Sequence, residues 1–93
     1  MIKYKVLFSE KYNKSFSKLD HYTQKMITNW IEKHLEGCSN PRSSGKALKH
    51  ELKGLWRYRV GDYRLICELL DKKLIILALA IGHRRDIYIN DVK

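Results

Sequence analysis

Between Leu55 and Leu65 the chain alternates apolar and basic positions, reading Leu-Trp-Arg-Tyr-Arg-Val-Gly-Asp-Tyr-Arg-Leu. Side chains on a strand change face at every residue, so the alternation predicts two short β-strands. Gly61-Asp62 between them predicts a two-residue type II′ loop, with glycine at the first central position, where φ must be positive. That loop sets a register in which Val60 faces Tyr63, Arg59 faces Arg64 and Tyr58 faces Leu65. One face of the hairpin then holds Trp56, Tyr58, Val60, Tyr63, Leu65 and Cys67, a strip of core. The other holds Arg57, Arg59 and Arg64. Like charges directly opposite each other destabilise a sheet, so Arg59 across from Arg64 points to a polyanion that neutralises them.

The rest of the chain supplies what this hairpin packs against. Ile2, Tyr4, Val6 and Phe8 alternate with Lys3 and Lys5, the pattern of a half-buried strand. Ser9 is placed as an N-cap, and Tyr12, Phe16 and Leu19 form one apolar stripe on a short helix. Asp20 is placed as the next cap. A longer helix follows, with Met26, Ile27, Trp30, Ile31 and Leu35 on one face and Gly37 as its left-handed stop. Gly37 to Gly45 is the one loop-like tract. Lys46 to Lys53 fits either a short edge strand or a helical turn. After the hairpin, the strand from Arg64 to Leu70 meets a polar turn at Asp71-Lys72-Lys73. Leu74 to Ile81 is apolar throughout, the mark of a strand that is central or covered on both faces, and Gly82 is expected to end it. The expected class is α+β: β-α-α-β-β-β, an antiparallel sheet with a helical hairpin on one face. The patterns do not give the strand order.

Composition narrows the class. The 93 residues make one domain, 1–93, and 44% hydrophobic residues are enough for a core. The formal net charge of +9 points to nucleic acid, an acidic protein or an anionic surface. No segment approaches the ~18 apolar residues of a membrane span, and the N-terminus lacks the apolar stretch of a signal peptide, so a cytoplasmic protein is expected. Cys38 and Cys67 have no zinc-ligand or Cys-x-x-Cys spacing and read as free thiols, Cys67 in the core.

Three basic clusters carry the candidate chemistry: Lys46/Lys49/His50/Lys53, Arg57/Arg59/Arg64, and His83/Arg84/Arg85 with Tyr88. Arginine offers a planar fork of donors that matches phosphate and stays charged at any working pH. The ten carboxylates are scattered, without the grouping of a two-metal nuclease, and no Gly-rich phosphate loop is present. No metal and no cofactor are expected. RNA carries its own nucleophile, the 2′-hydroxyl, which needs a base, charge stabilisation and an acid for the leaving oxygen; DNA has none, so RNA is the favoured substrate. His83 suits proton transfer near neutral pH. Tyr88 would serve if Arg84 and Arg85 lower its phenol pKa.

The two segments WRYRVGDYRLI and IGHRRDIY, with an apolar strand between them, resemble the RelE/ParE superfamily of small bacterial toxins, on the RelE side. The resemblance covers nearly the whole chain, and its specific part runs from Lys46 to Tyr88. It implies an endoribonuclease that cleaves mRNA, in RelE-like members on the translating ribosome, by 2′-hydroxyl attack to a 2′,3′-cyclic phosphate. It also implies a RelB-like antitoxin that covers the toxin. Carried onto this chain, it assigns Arg64, Arg84 and Tyr88 or His83 to catalysis and puts basic residues at Arg57 and Arg59; these two, with Lys49, Lys53 and Arg85 of the basic clusters, are expected to bind RNA. The chain departs from the family in having arginines at 57 and 59 where the best-known pattern has lysines; arginine cannot readily give up a proton, so no proton role survives there. The interval from Gly82 to Tyr88 is also shorter than in some members. Two other functions stay open at this level: a non-enzymatic gyrase inhibitor, as in the ParE branch, and a plain RNA- or ribosome-binding module.

Overall fold

The computed structural model describes residues 2–87, and Tyr88 lies outside them. Its elements are β1 (Lys5–Phe8), α1 (Glu10–Ser17), α2 (His21–His34), β2 (Lys46–Ala47), β3 (Leu55–Val60), β4 (Tyr63–Leu70) and β5 (Ile75–His83). Five strands form one sheet in the order β1-β5-β4-β3-β2. The α+β class and the helical hairpin on one face hold. The sheet is mixed rather than wholly antiparallel, because β1 runs parallel to β5 while the other neighbours are antiparallel. The two helices between β1 and the remaining strands carry the chain over the sheet, which permits the parallel pairing.

Local chemistry sets the helix ends. Ser9 Oγ accepts from the Tyr12 amide at 3.0 Å and Asp20 Oδ2 from the Thr23 amide at 3.2 Å, each cap contributing about 1 kcal/mol. Past α2, Gly37 takes φ +78° and its amide donates to Tyr4 O at 2.8 Å, binding the helix exit to the β1 edge. Glu36 Oε1 accepts the Val6 amide at 3.3 Å farther along that edge.

The hairpin has the register its loop dictates: Val60 pairs with Tyr63, Arg59 with Arg64 and Tyr58 with Leu65. Gly61 has φ +60° and Asp62 has no positive φ, as a type II′ turn requires. On the helix side, Tyr58, Val60, Leu65 and Cys67 are buried against Ile27, Ile31 and Leu35. The Tyr58 hydroxyl donates to Pro41 O at 2.6 Å, so this buried phenol keeps a partner. Gly45 lies so close behind β3 that a Cβ there would stand 2.6 Å from Arg57 O.

Strand β5 is an interior strand, between β1 and β4, as its unbroken apolar run suggests. It does not stop at Gly82. Gly82 pairs with Arg64 and His83 with Tyr63, extending the ladder to the hairpin end. The register also slips: Ile66 pairs with Ala80 but Cys67 with Ala78, leaving Leu79 as an extra residue in a β-bulge. The bulge reverses the alternation beyond it. Ile76, Ala78 and Ile81 therefore join the helix-side core, while Ala80 does not. The segment 46–53 combines both forms the sequence allowed, a two-residue strand followed by a 3-10 turn at His50–Leu52.

Candidate phosphate-binding site

On the face without helices, β3 and β4 present Arg57, Arg59 and Arg64 where their alternation requires. The segment after β3's edge partner folds over one side of them. Leu48 is anchored by its amide to Leu55 O at 3.0 Å, and the 3-10 turn behind it begins at His50, which takes φ +57°. This turn aims Leu48 and Leu52 inward and leaves Lys49, His50 and Lys53 exposed. On the other side, the turn after β5 brings Arg84 and Ile87 back over the sheet. Ile87 packs over Gly82, where a Cβ would stand in van der Waals contact, 3.4 Å from the Ile87 Cβ.

The result is a cavity of about 240 Å³ with aliphatic walls from Leu48, Leu52, Ile66 and Ile87, and with Arg57, Arg64 and Arg84 in its lining. Among the described residues no carboxylate pairs with any of these arginines. Arg64 donates to the Gly61 and Tyr63 carbonyl oxygens at 3.1 and 2.9 Å. Partial desolvation, and then the guanidiniums of Arg59, Arg57 and Arg84, hold Arg64 below the usual arginine range. Nε of Arg57 is buried with no hydrogen-bond partner among the described residues. An unmet buried donor costs about 1–3 kcal/mol. Three guanidiniums beside aliphatic walls are chemically suited to an oxyanion that carries an apolar group.

The sequence-predicted residues divide. Arg57, Arg64 and Arg84 meet in the cavity. Arg59 is exposed, opposite Arg64 in the ladder. Lys49, Lys53 and Arg85 are exposed at the surface and do not line the cavity. His83 points to the helix side: its ring packs edge-on against Tyr63 at 5.5 Å, and it lines a separate hollow with Ser15, Lys18 and Asp86. Tyr88 falls outside the described residues, directly after Ile87 in the chain. Sequence reasoning misses the aliphatic walls, although Leu48 and Leu52 stand four apart in an otherwise polar stretch, a spacing that marks one face of a turn.

Comparison with known proteins bears on the family and the fold. The family model described as "ParE toxin of type II toxin-antitoxin system, parDE" matches residues 6–88. A putative RelE-like toxin protein of Escherichia coli is 30% identical over 91 residues, covering 94% of this chain and 92% of that protein. Toxin RelG of Mycobacterium tuberculosis is 40% identical over 48 residues; the match takes in 52% of this chain and about half (55%) of RelG. Among solved structures, the RelBE2 toxin–antitoxin complex of Mycobacterium tuberculosis superposes with a TM-score of 0.82 at 28% identity, covering 92% of this chain and 97% of the matched one.

Proposed function

We propose that this chain, which belongs to the RelE/ParE superfamily of type II toxin–antitoxin toxins, acts as an endoribonuclease on mRNA. The observation that carries this reading is the convergence of Arg57, Arg64 and Arg84 on one cavity, with the buried Arg57 Nε unmet. In this reading the RNA 2′-hydroxyl attacks the adjacent phosphorus and the bond to the 5′ oxygen breaks. The products are a 2′,3′-cyclic phosphate and a free 5′-hydroxyl. Arg57, Arg64 and Arg84 hold the non-bridging oxygens and offset the charge that grows on them, where preorganised donors act most strongly. The aliphatic walls take the sugar or base beside that phosphate.

The proton leaving the 2′-hydroxyl goes to the phenolate form of Tyr88, which follows Ile87 in sequence, and the departing 5′ oxygen takes its proton from solvent water. This reading gives the proton role to Tyr88 over His83, whose ring packs against Tyr63 on the helix side of the sheet. Arg59, Arg85, Lys49 and Lys53 meet neighbouring phosphates, of mRNA and of the ribosome on which the cut is made, in the cytoplasm. The neutralising partner is a RelB-like antitoxin, by analogy with the RelBE2 complex.

A second reading has a specific observation behind it, since the matching family model is the ParE one. ParE-like action would be inhibition of DNA gyrase without RNA cleavage. Mapping transcript 5′ ends after brief induction separates the two. Wild type should create new 5′ ends within translated frames, and Arg84→Ala should create none and lift growth arrest while remaining folded. Absence of new ends, together with inhibition of supercoiling by purified gyrase, would overturn the ribonuclease reading in favour of the second.

A further inference from the structure

His83 occupies a position that neither the cavity nor the core accounts for. Strand β5 ends on it, and the four amides that follow are all tied down. The Arg84 amide donates to Asp62 O at 2.8 Å, fastening the turn to the hairpin loop. The Asp86 and Ile87 amides both donate to His83 O, at 2.8 and 3.2 Å. The Arg85 amide has no carbonyl to use and donates instead to His83 Nδ1 at 3.2 Å. Three of the four tethers thus end on His83, and one of them ends on its side chain.

The ring is held in turn. It meets Tyr63 edge-on, with an interplanar angle of 80°, a favoured aromatic geometry. Ser15 and Lys18, at the C-terminal end of α1, and Asp86 of the turn itself border the same hollow. Accepting at Nδ1 requires the neutral ring with its proton on Nε2. This turn is also the segment that delivers Arg84 and Ile87 to the cavity on the opposite face.

We propose that His83 is a positioning residue: through Nδ1 and its carbonyl it shapes the turn that presents Arg84 and Ile87 to the phosphate. The proposal rests on the ribonuclease reading for its catalytic consequence, but the tether itself does not. A guanidinium displaced by about 1 Å loses on the order of a hundredfold in rate, so a soft turn would be felt at the reacting phosphate without His83 touching it.

The test compares His83→Asn with His83→Gln and His83→Ala in the full chain. The Asn Oδ1 can stand where Nδ1 stood and accept from the Arg85 amide; the Gln carbonyl is carried one carbon farther out. Amide hydrogen exchange at Arg85 should stay slow in H83N and quicken about three- to tenfold in H83Q and H83A, the loss of one net hydrogen bond. RNA cleavage should be rescued in H83N to within about threefold of wild type and fall about ten- to a hundredfold in the other two. Equal loss of cleavage in H83N and H83Q with the Arg85 amide still protected would overturn the proposal and make His83 a proton carrier. Full activity in H83A would overturn it as well. If wild type cleaves no RNA, the ribonuclease reading fails by itself, and the exchange comparison still decides whether the tether exists.

Discussion

Arginines are used in two opposite ways at the two ends of this sheet. Arg42, in the loop before β2, gives both terminal nitrogens to Asp71, at 3.0 and 2.8 Å, and its guanidinium lies 5.6 Å from the Trp56 ring centroid. Asp71 also accepts from the Tyr4 hydroxyl at 2.7 Å. The loop, the segment leading into β1 and the β4–β5 turn are thereby joined, and the charge of Arg42 is answered inside the chain. Arg57, Arg64 and Arg84 have no such answer among the described residues, and Arg64 has only backbone carbonyls. The physical sign follows in each case. The hydrogen bond with Asp71 raises the pKa of Arg42, while desolvation and neighbouring guanidiniums lower that of Arg64. A structural arginine is one already neutralised; Arg64, set among three other guanidiniums with Asp62 as the one offsetting charge, is left able to meet an anion from outside the chain.

The contrast breaks most sharply by exchanging what each arginine loses. Arg64→Ala should cost about 10²–10³-fold in RNA cleavage, the scale for removing one oxyanion donor. Its thermal midpoint should stay level or rise, because a repelling charge is gone. Arg42→Ala should do the reverse, leaving cleavage within about twofold and lowering stability by under about 1 kcal/mol, the scale of an exposed ion pair. Cleavage rates and melting curves on both variants give the answer. If Arg64→Ala melted earlier than Arg42→Ala and still cut RNA, the division between structural and functional arginines would collapse.

Arg59 refines the same division, being exposed and directly opposite Arg64 without lining the cavity. Replacing it with threonine, a good strand former, should raise stability by about 0.2–1 kcal/mol in urea unfolding, the size of a cross-strand pair effect. The same change should lower the salt dependence of RNA binding by ~0.7 in log–log slope if Arg59 meets one phosphate of a single strand. An unchanged slope would remove Arg59 from the RNA surface.

Most of the functional face can be read from alternation, because the Gly61-Asp62 loop pins the hairpin register and a slip of one residue would bury the arginines. Arg57 and Arg64 are therefore legible together, while Arg84 enters through the basic cluster after the apolar strand and through the family resemblance. The side of the sheet on which His83 lies is not legible, for one reason. Uninterrupted alternation along β5 sets position 83 on the same side as Leu77 and Leu79, the arginine face. The bulge at Leu79 inverts that, sending Gly82 to the arginines and His83 to the helices. An apolar run of leucine, isoleucine and alanine carries no polar residue to betray a bulge. The parallel pairing of β1 with β5 is hidden similarly, since strand order follows from how the helices cross the sheet and not from the pattern within any strand. The walls formed by Leu48 and Leu52 flank His50, whose positive φ is uncommon for any residue but glycine and is not advertised by the apolar pattern.

The smallest expected effect lies at the paired end, and its sign can be worked out in full. Hydrogen bonds from Arg42 first and then from Tyr4 lower the Asp71 pKa from 3.8 to about 2. A carboxyl whose folded pKa lies below its unfolded value contributes stability above the unfolded pKa and loses it as pH falls through the folded one. The link should thus be at full strength above roughly pH 5 and should fade between pH 4 and about 2. Side chains 45% and 50% exposed are screened by solvent and salt, so the contribution should stay under about 1 kcal/mol and shrink further in high salt. The difference in unfolding free energy between wild type and Asp71→Asn, followed from pH 6 downward, should therefore narrow as acid is added. A difference that stayed constant to pH 2 would mean that Asp71 holds the loop by shape alone, and that the paired end of the molecule is not electrostatic at all.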